Sequence, residues 1–403
     1  MLELKDFEAA ADRLKNVIHN IPLSTSGTFS AMSGAEVYLK YENQQKTGSF
    51  KVRGAYNKIM KRYAEGDLHA VVASSAGNHA QGVAFAASSV GVKSTIVMPR
   101  STPIAKVSAT QGYGAEVVLA GNIYDEAYAK ACEICEETGA EFIHPFDDED
   151  VMAGQGTIAL EILRDLPFVD IIFVPAGGGG LISGIAACAK QINPRIQIVG
   201  VQAEGAPAIA NSFRAGTLQP SDTVRTIADG IAVKCPGENT FRYIQQYVDR
   251  VVTVSDEEIA STVLLLLERC KQVVETSGAA PLAAVLNNKV DVKGKKVVCV
   301  LSGGNIDVSF IHKIVEKGLV TRCRQLKFSV LMPDVPGALE RFAHLVAEQN
   351  ANIILFQHDR VQADLDIGEA IIQVVCEVGG VEHAKRLLDD LSRQGYQVFT
   401  SQI

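Results

Sequence analysis

The stretch Ile171-Ile172-Phe173-Val174-Pro175-Ala176-Gly177-Gly178-Gly179-Gly180-Leu181 decides the fold of this chain. Its apolar opening, Ile171–Val174, reads as a buried strand, and Leu181–Gln191 has the periodicity of a helix. Between them stand four glycines, which let a backbone wrap closely around a phosphate. A strand that turns on glycine into a helix is the unit of an α/β domain with a mostly parallel sheet. The loop is not a Walker A, because no Lys-Ser/Thr follows, and it lacks the G-x-G-x-x-G spacing of a dinucleotide site.

Outward from this unit the alternation continues. Ala70–Ala73, Ser94–Met98, Glu116–Leu119, Gln197–Gln202 and Lys296–Leu301 read as further buried strands. Helical patterns fill the gaps at Asn78–Ser89, Ile104–Gln111, Ile123–Thr138 and Gly154–Leu163. Near Gly318 the pattern changes to strand Gln325–Met332, a helix to about Gln349, strands Asn352–His358 and Glu369–Val378, helix Val381–Arg393 and strand Tyr396–Ser401. That order, β-α-β-β-α-β, is the ferredoxin-like split unit. The expected domains are therefore 1–320, with a smaller subdomain inserted over roughly 54–147, and 321–403.

The 403 residues are 47% hydrophobic and 21% charged, enough for a large core. The formal charge of -8, with no basic block, argues against nucleic acid as a partner. The longest apolar run, Val263–Leu267, is far too short to span a bilayer, and no membrane partner is expected. Met1–Phe7 is acidic and amphipathic, unlike a signal peptide. Eight cysteines are scattered and only Cys132 and Cys135 form a C-x-x-C, with no second ligand pair for zinc. A reducing, cytoplasmic location is expected.

Three other segments carry polar groups at strand ends. Ser74-Ser75-Ala76-Gly77-Asn78-His79 opens a helix, where free N–H groups and the dipole favour an anion. Ser75, Asn78 and His79 add side-chain donors suited to a carboxylate, although the segment reads equally as a plain N-cap. Leu301-Ser302-Gly303-Gly304-Asn305 ends an apolar strand, and Ala228-Asp229-Gly230 is by itself a turn. Upstream lies Thr47-Gly48-Ser49-Phe50-Lys51-Val52-Arg53-Gly54, whose lysine is either a solvated charge or a Schiff-base anchor. A monophosphate cofactor tethered to Lys51 accounts together for the lysine, the Asn78 loop, the glycine loop at Gly177–Gly180 and the strand-end Ser302.

In their order and spacing, Gly48–Ala55, Ser75–His79, Gly177–Gly180 and Ser302–Asn305 resemble the fold-type II (tryptophan synthase β-like) pyridoxal-phosphate enzymes. Within them the chain is similar to the threonine/serine dehydratases over roughly residues 5–320. The resemblance implies pyridoxal 5'-phosphate as cofactor and deamination of L-threonine to 2-oxobutanoate, or L-serine to pyruvate, with release of ammonia. Lys51 would be the Schiff-base anchor and the base at Cα. Phe50 would line one face of the ring, with Gly230 leaving room on the other. Gly177, Gly178, Gly179, Gly180 and Leu181 would donate N–H groups to the phosphate, Asn78 would bond the ring hydroxyl, and Ser302 would meet the pyridine nitrogen. Ser75, Gly77, Asn78 and His79 would hold the substrate carboxylate. Ala76 stands where related serine racemases carry a proton-donating serine, which favours elimination. Glu204 matches one acid of a cation site found in some relatives, but Ala210 stands at the second, so a divalent or a monovalent cation is left open. Serine dehydratase, serine racemase and a non-catalytic amino-acid sensor are the alternatives.

Residues 325–403 resemble an ACT regulatory domain, through the strand order and Asp334-Val335-Pro336-Gly337-Ala338-Leu339. The Pro-Gly turn directs N–H groups at a ligand, commonly an amino acid at a paired interface. Asp334, Pro336 and Gly337 would form one wall of an effector site and Asn352 the other. Isoleucine is the natural effector of a threonine deaminase, which would connect the chain to isoleucine biosynthesis; a nucleotide effector and a catabolic role stay open. A homodimer or homotetramer is expected.

Overall fold

The computed structural model describes residues 1–66, 68–361 and 366–400. It divides into two compact units, Met1–Ile306 and Asp307–Ile403.

The first unit holds two sheets. The larger has six strands in the order Ser24–Thr25, Glu36–Tyr41, Lys296–Leu301, Ile171–Pro175, Gln197–Ala203 and Arg250–Val254. All of its pairings are parallel except that of Ser24–Thr25 with Glu36–Tyr41. The central strands are covered on both faces, which is why they read as unbroken apolar runs: Ile171 to Val174 and Val297 to Leu301 are all buried. The smaller sheet is wholly parallel, in the order Glu116–Leu119, Lys93–Met98, Ala70–Ser74 and Glu141–Phe142.

Local chemistry explains where the elements depart from expectation. The helix expected at Gly154–Leu163 begins earlier, at Glu149, because the Asp148 carboxylate accepts from the N–H groups of Asp150 and Val151 and caps it there. Glu116–Leu119 is an edge strand and not a buried one; Glu116 and Leu119 are exposed. Strand Glu36–Tyr41 escapes a hydrophobicity reading because Lys40 interrupts it. Lys40 is nevertheless fully buried, held 2.6 Å from Glu161.

The second unit opens with helix Val308–Thr321, which the sequence assigned to the preceding domain. That helix packs on strand Gln325–Pro333, so it belongs with the tail. The sheet is antiparallel throughout, ordered Asn352–Asp359, Glu369–Glu377, Gln325–Pro333 and Gln397–Phe399. Numbered along the chain this is 2-3-1-4, the ferredoxin-like arrangement. Leu326, Phe328 and Val330 alternate inward against Phe342, Val346 and Leu387 of the two covering helices. Ser401, expected at the end of the last strand, lies outside the described residues.

Candidate active site

Lys51 is the first residue of helix Lys51–Ala64. Its approach loop is zipped to the end of strand Lys296–Leu301. The Phe50 N–H donates to the Ser302 carbonyl at 3.0 Å, the Gly304 N–H to the Gly48 carbonyl at 2.9 Å, and Ser49 bridges Gly303. Gly48 takes φ +70°, which the turn requires. Two of the separately read segments are therefore one structure. The Lys51 Nζ lies 5.3 Å from the centre of the Phe50 ring and donates to the Pro145 carbonyl at 2.6 Å. Burial brings its pKa down to about 8, against the opposing pull of Glu275.

The glycine loop enters helix Gly180–Ile192 through Gly179 at φ +103°. Gly178, Gly179 and Gly180 are packed too tightly for a side chain unless a neighbour shifts, and Gly177 is only slightly looser. A Cβ at Gly177 would stand 3.0 Å from Ile231 Cα, at Gly178 2.3 Å from the Phe146 ring, at Gly179 2.7 Å from Thr240 Oγ1 and at Gly180 2.8 Å from the Phe146 carbonyl. The first N–H groups of the helix have no intrahelical acceptor, which makes this end an anion cradle. Leu181 lies buried in the same first turn.

Gly230 sits in the short turn Asp229–Ile231, where a Cβ would meet the buried Ser277 hydroxyl at 2.8 Å. Among the described residues that hydroxyl has no hydrogen-bond partner. Ser302 is buried at the end of its strand. A glycine cradle with free N–H groups, a lysine of lowered proton affinity and an orphaned hydroxyl together fit a phosphorylated aldehyde cofactor.

Asn78 is clamped on both sides. Its Nδ2 donates to Glu275 Oε1 and Oε2 at 2.9 and 3.0 Å, and its Oδ1 accepts from Asn305 Nδ2 at 2.6 Å. Ser75 Oγ accepts from the Gly77 N–H at 3.2 Å. The expectation for the His79 side chain needs correction. Its Nε2 donates to the Ile143 carbonyl at 2.8 Å, and burial beside Lys51 lowers its pKa to about 3. A neutral ring with its proton on Nε2 leaves Nδ1 only as an acceptor, so the imidazole offers nothing to a carboxylate. The backbone N–H of His79, in the first helical turn, keeps that capacity.

The sequence did not single out Glu275, Pro145 or Phe146. Glu275 is buried, and burial raises its pKa to about 7. A signal existed: it is the only charged residue between Lys271 and Lys289.

Glu204 lies apart from these groups. Its carboxylate is exposed and stands 3.8 Å from Lys289 Nζ, which also pairs with Glu258 at 2.9 Å. The Ala210 N–H donates to Gln202 Oε1. Among the described residues no three His, Cys, Asp or Glu side chains are grouped to hold a metal ion.

In the second unit, Asp334 Oδ1 is 3.2 Å from an Arg360 nitrogen and Gly337 caps helix Ala338–Glu348 at φ +84°. Asn352 bonds Glu377 at 3.2 Å. Glu377 is also opposite Gln325, whereas Asp334 follows Pro333 at the other end of the same strand. Eight residue steps, roughly 27 Å, separate the two ends. Within one chain Asn352 therefore does not form a wall with Asp334, Pro336 and Gly337.

Residues 14–303 match the model of the pyridoxal-phosphate dependent enzyme family, and the chain belongs to that family. The cofactor of the family is pyridoxal phosphate. An L-threonine ammonia-lyase of Thermotoga maritima is 49% identical over 398 residues, 99% of each chain. Among solved structures, the processed threonine deaminase isoform 2 of Solanum lycopersicum superposes with a TM-score of 0.74 at 38% identity, over 78% of this chain and 94% of that one. Maize serine racemase gives a TM-score of 0.74 at 36% identity, over 79% and 98%. No helix among the described residues is long and apolar enough to cross a membrane.

Proposed function

We propose that the chain is an L-threonine ammonia-lyase that converts L-threonine to 2-oxobutanoate and ammonia, and L-serine to pyruvate and ammonia. The carrying observation is Lys51, whose buried amine has a pKa near 8 and whose preceding loop is bonded to the Ser302–Gly304 turn. Likeness over 99% of the chain to the Thermotoga maritima lyase supports the substrate.

Pyridoxal phosphate, when bound, supplies an electron sink for negative charge at the substrate Cα. The N–H groups of Gly177 to Leu181 would hold its phosphate, and Phe50 and Gly230 would line the site of its ring. Asn78 holds the ring hydroxyl through the amide proton that Glu275 does not take. Ser302 at the ring nitrogen is a hydroxyl, which cannot stabilise a pyridinium as a carboxylate does. The sink is therefore weak and suits prompt loss of a β-substituent. Backbone N–H groups of the Ser75–His79 turn, with Ser75 Oγ, hold the substrate carboxylate. Lys51, as a neutral amine, takes the Cα proton.

Serine racemisation is the second reading, from the likeness to maize serine racemase. Ala76 counts against it, since a methyl has no proton for the opposite face. An intact Lys51 and glycine cradle count against a non-catalytic sensor. Lys289 beside Glu204 supplies a resident positive charge, which counts against a divalent ion there.

The tail is an ACT regulatory domain in this reading, supported by its 2-3-1-4 sheet and the Pro-Gly turn. Because Asn352 and Asp334 lie at opposite ends of one sheet, an effector touching both requires two copies of the chain, which favours a homodimer or homotetramer. A cytoplasmic location fits the eight free thiols. Assaying 2-oxobutanoate and pyruvate formation with and without isoleucine, valine, AMP and ADP tests the whole reading. No turnover of either substrate by the cofactor-loaded protein overturns it.

A further inference from the structure

Among the described residues Glu42 and Glu275 are the buried acids; Glu42 pairs with Arg53, whereas Glu275 has no ion-pair partner at hydrogen-bond distance and no task of its own in the chemistry above. It is the N-cap residue of helix Thr276–Leu286, yet its side chain makes no capping bond. Its backbone N–H is anchored on the Gly303 carbonyl at 2.9 Å, and its carboxylate turns inward to Asn78. Gly303 clears its path, and Gly230 lies in ordinary contact with it. A Cβ at Gly303 would stand 2.5 Å from Glu275 Oε1, and one at Gly230 3.6 Å from the same oxygen. These are residues of the turn that binds the Phe50 loop and of the turn opposite the phosphate cradle. The charged groups that face it are Asp229, Lys106 and Lys51. Its hydrogen bonds go to the Asn78 amide and not to any of those cations.

An amide has two N–H bonds on Nδ2 and two lone pairs on Oδ1. Asn305 donates to the oxygen and so fixes which end of the Asn78 amide is nitrogen. The two oxygens of one carboxylate subtend too small an angle at Nδ2 to meet both of its diverging N–H bonds, so they share one N–H and the other is left to point at a ligand. A solvated surface acid would need neither the glycine at 303 nor the clamp on Asn78.

We infer that Glu275 is a positioning residue that aims the free N–H of Asn78 at the ring oxygen of pyridoxal phosphate and that its gain or loss of a proton changes the charge next to that oxygen. The inference rests on the cofactor assignment made above, not on the substrate. The proton moves between the carboxyl and solvent, so no co-reactant is involved. With its buried, raised proton affinity, this exchange falls close to neutral pH.

The experiment is an absorbance titration of the bound cofactor from pH 5.5 to 9 (about the range that brackets neutrality) on the holoenzyme and on Glu275→Gln, with threonine turnover measured on the same samples. Glutamine keeps an acceptor for Asn78 but has no proton to exchange. The wild-type band should shift through one inflection near neutral pH, and the shift should vanish in the variant. An identical inflection in both proteins, or none in the wild type, overturns the inference. The wild-type titration stands alone should the variant fail to fold, since a flat profile is itself decisive. An inflection that vanishes in Glu275→Gln, in a wild type that does not deaminate threonine, sinks the proposed substrate and leaves this inference standing.

Discussion

The N–H of Phe50 donates to the carbonyl of Ser302 across 3.0 Å, although 252 positions separate them in the chain. This bond, with the Ser49–Gly303 bridge, fixes the residue before the lysine onto the loop that carries Ser302. The amine and the serine proposed for the ring nitrogen are thus held by one backbone element.

Lys51→Ala should abolish deamination, a loss of roughly 10³-fold or more from removing a general base and a covalent anchor together. It should also remove the absorbance band of the lysine-bound cofactor. Both are read on purified protein reconstituted with pyridoxal phosphate, and substantial residual turnover would refute the role.

The Lys51 pKa near 8 sets a pH dependence for cofactor capture by the apoprotein. Only the neutral amine attacks an aldehyde, so capture should rise nearly tenfold per pH unit below about 8 and level off above it. Stopped-flow absorbance gives the rate. The folded pKa lies below the ordinary lysine value of 10.5, so the folded apoprotein binds fewer protons than the unfolded chain between the two values, and its stability should rise as pH climbs from about 8 toward 10.5.

Gly179→Ala combines a left-handed φ with a Cβ 2.7 Å from Thr240 Oγ1. The variant should lose about 1–3 kcal/mol of stability in urea unfolding and bind the cofactor more weakly. A variant as stable as the parent would show that the loop can relax.

Arg53 bonds Glu42 through two nitrogens, at 2.7 and 2.8 Å, and Glu161 at 2.7 and 2.9 Å, and both Arg53 and Glu42 are fully buried. Arg53→Ala would strand the Glu42 carboxylate and should cost about 3–5 kcal/mol, measured by chemical denaturation. Arg53 lies on the Lys51 helix, so cofactor affinity should fall with it.

Ala76→Ser introduces a proton donor at the turn before Asn78. Formation of D-serine from L-serine should rise above that of the parent, at the expense of pyruvate, followed by chiral chromatography. An unchanged product ratio would separate racemisation from this position.

The glycine loop, the Asn78 turn and the tail's strand order were legible in sequence because each depends on local rules: strand period, positive φ and helix termini. Lys40 hid a strand because its burial depends on Glu161, 121 positions away. His79 reads as a donor in a polar turn, and only the Ile143 carbonyl shows its proton already committed. Glu275 went unread in sequence, because only folding turns its side chain away from its own helix and toward Asn78.

The sequence by itself determined the parallel α/β architecture, the ferredoxin-like tail and the residues able to hold a phosphate and an aldehyde. Tertiary structure alone decided which of them meet: it joined the Lys51 loop to Ser302–Gly304, set Glu275 beside Asn78, withdrew His79 and parted Asn352 from Asp334. The physical reason is that backbone preference is written within a few residues, whereas proton affinity and hydrogen-bond partners depend on desolvation and on neighbours from distant segments.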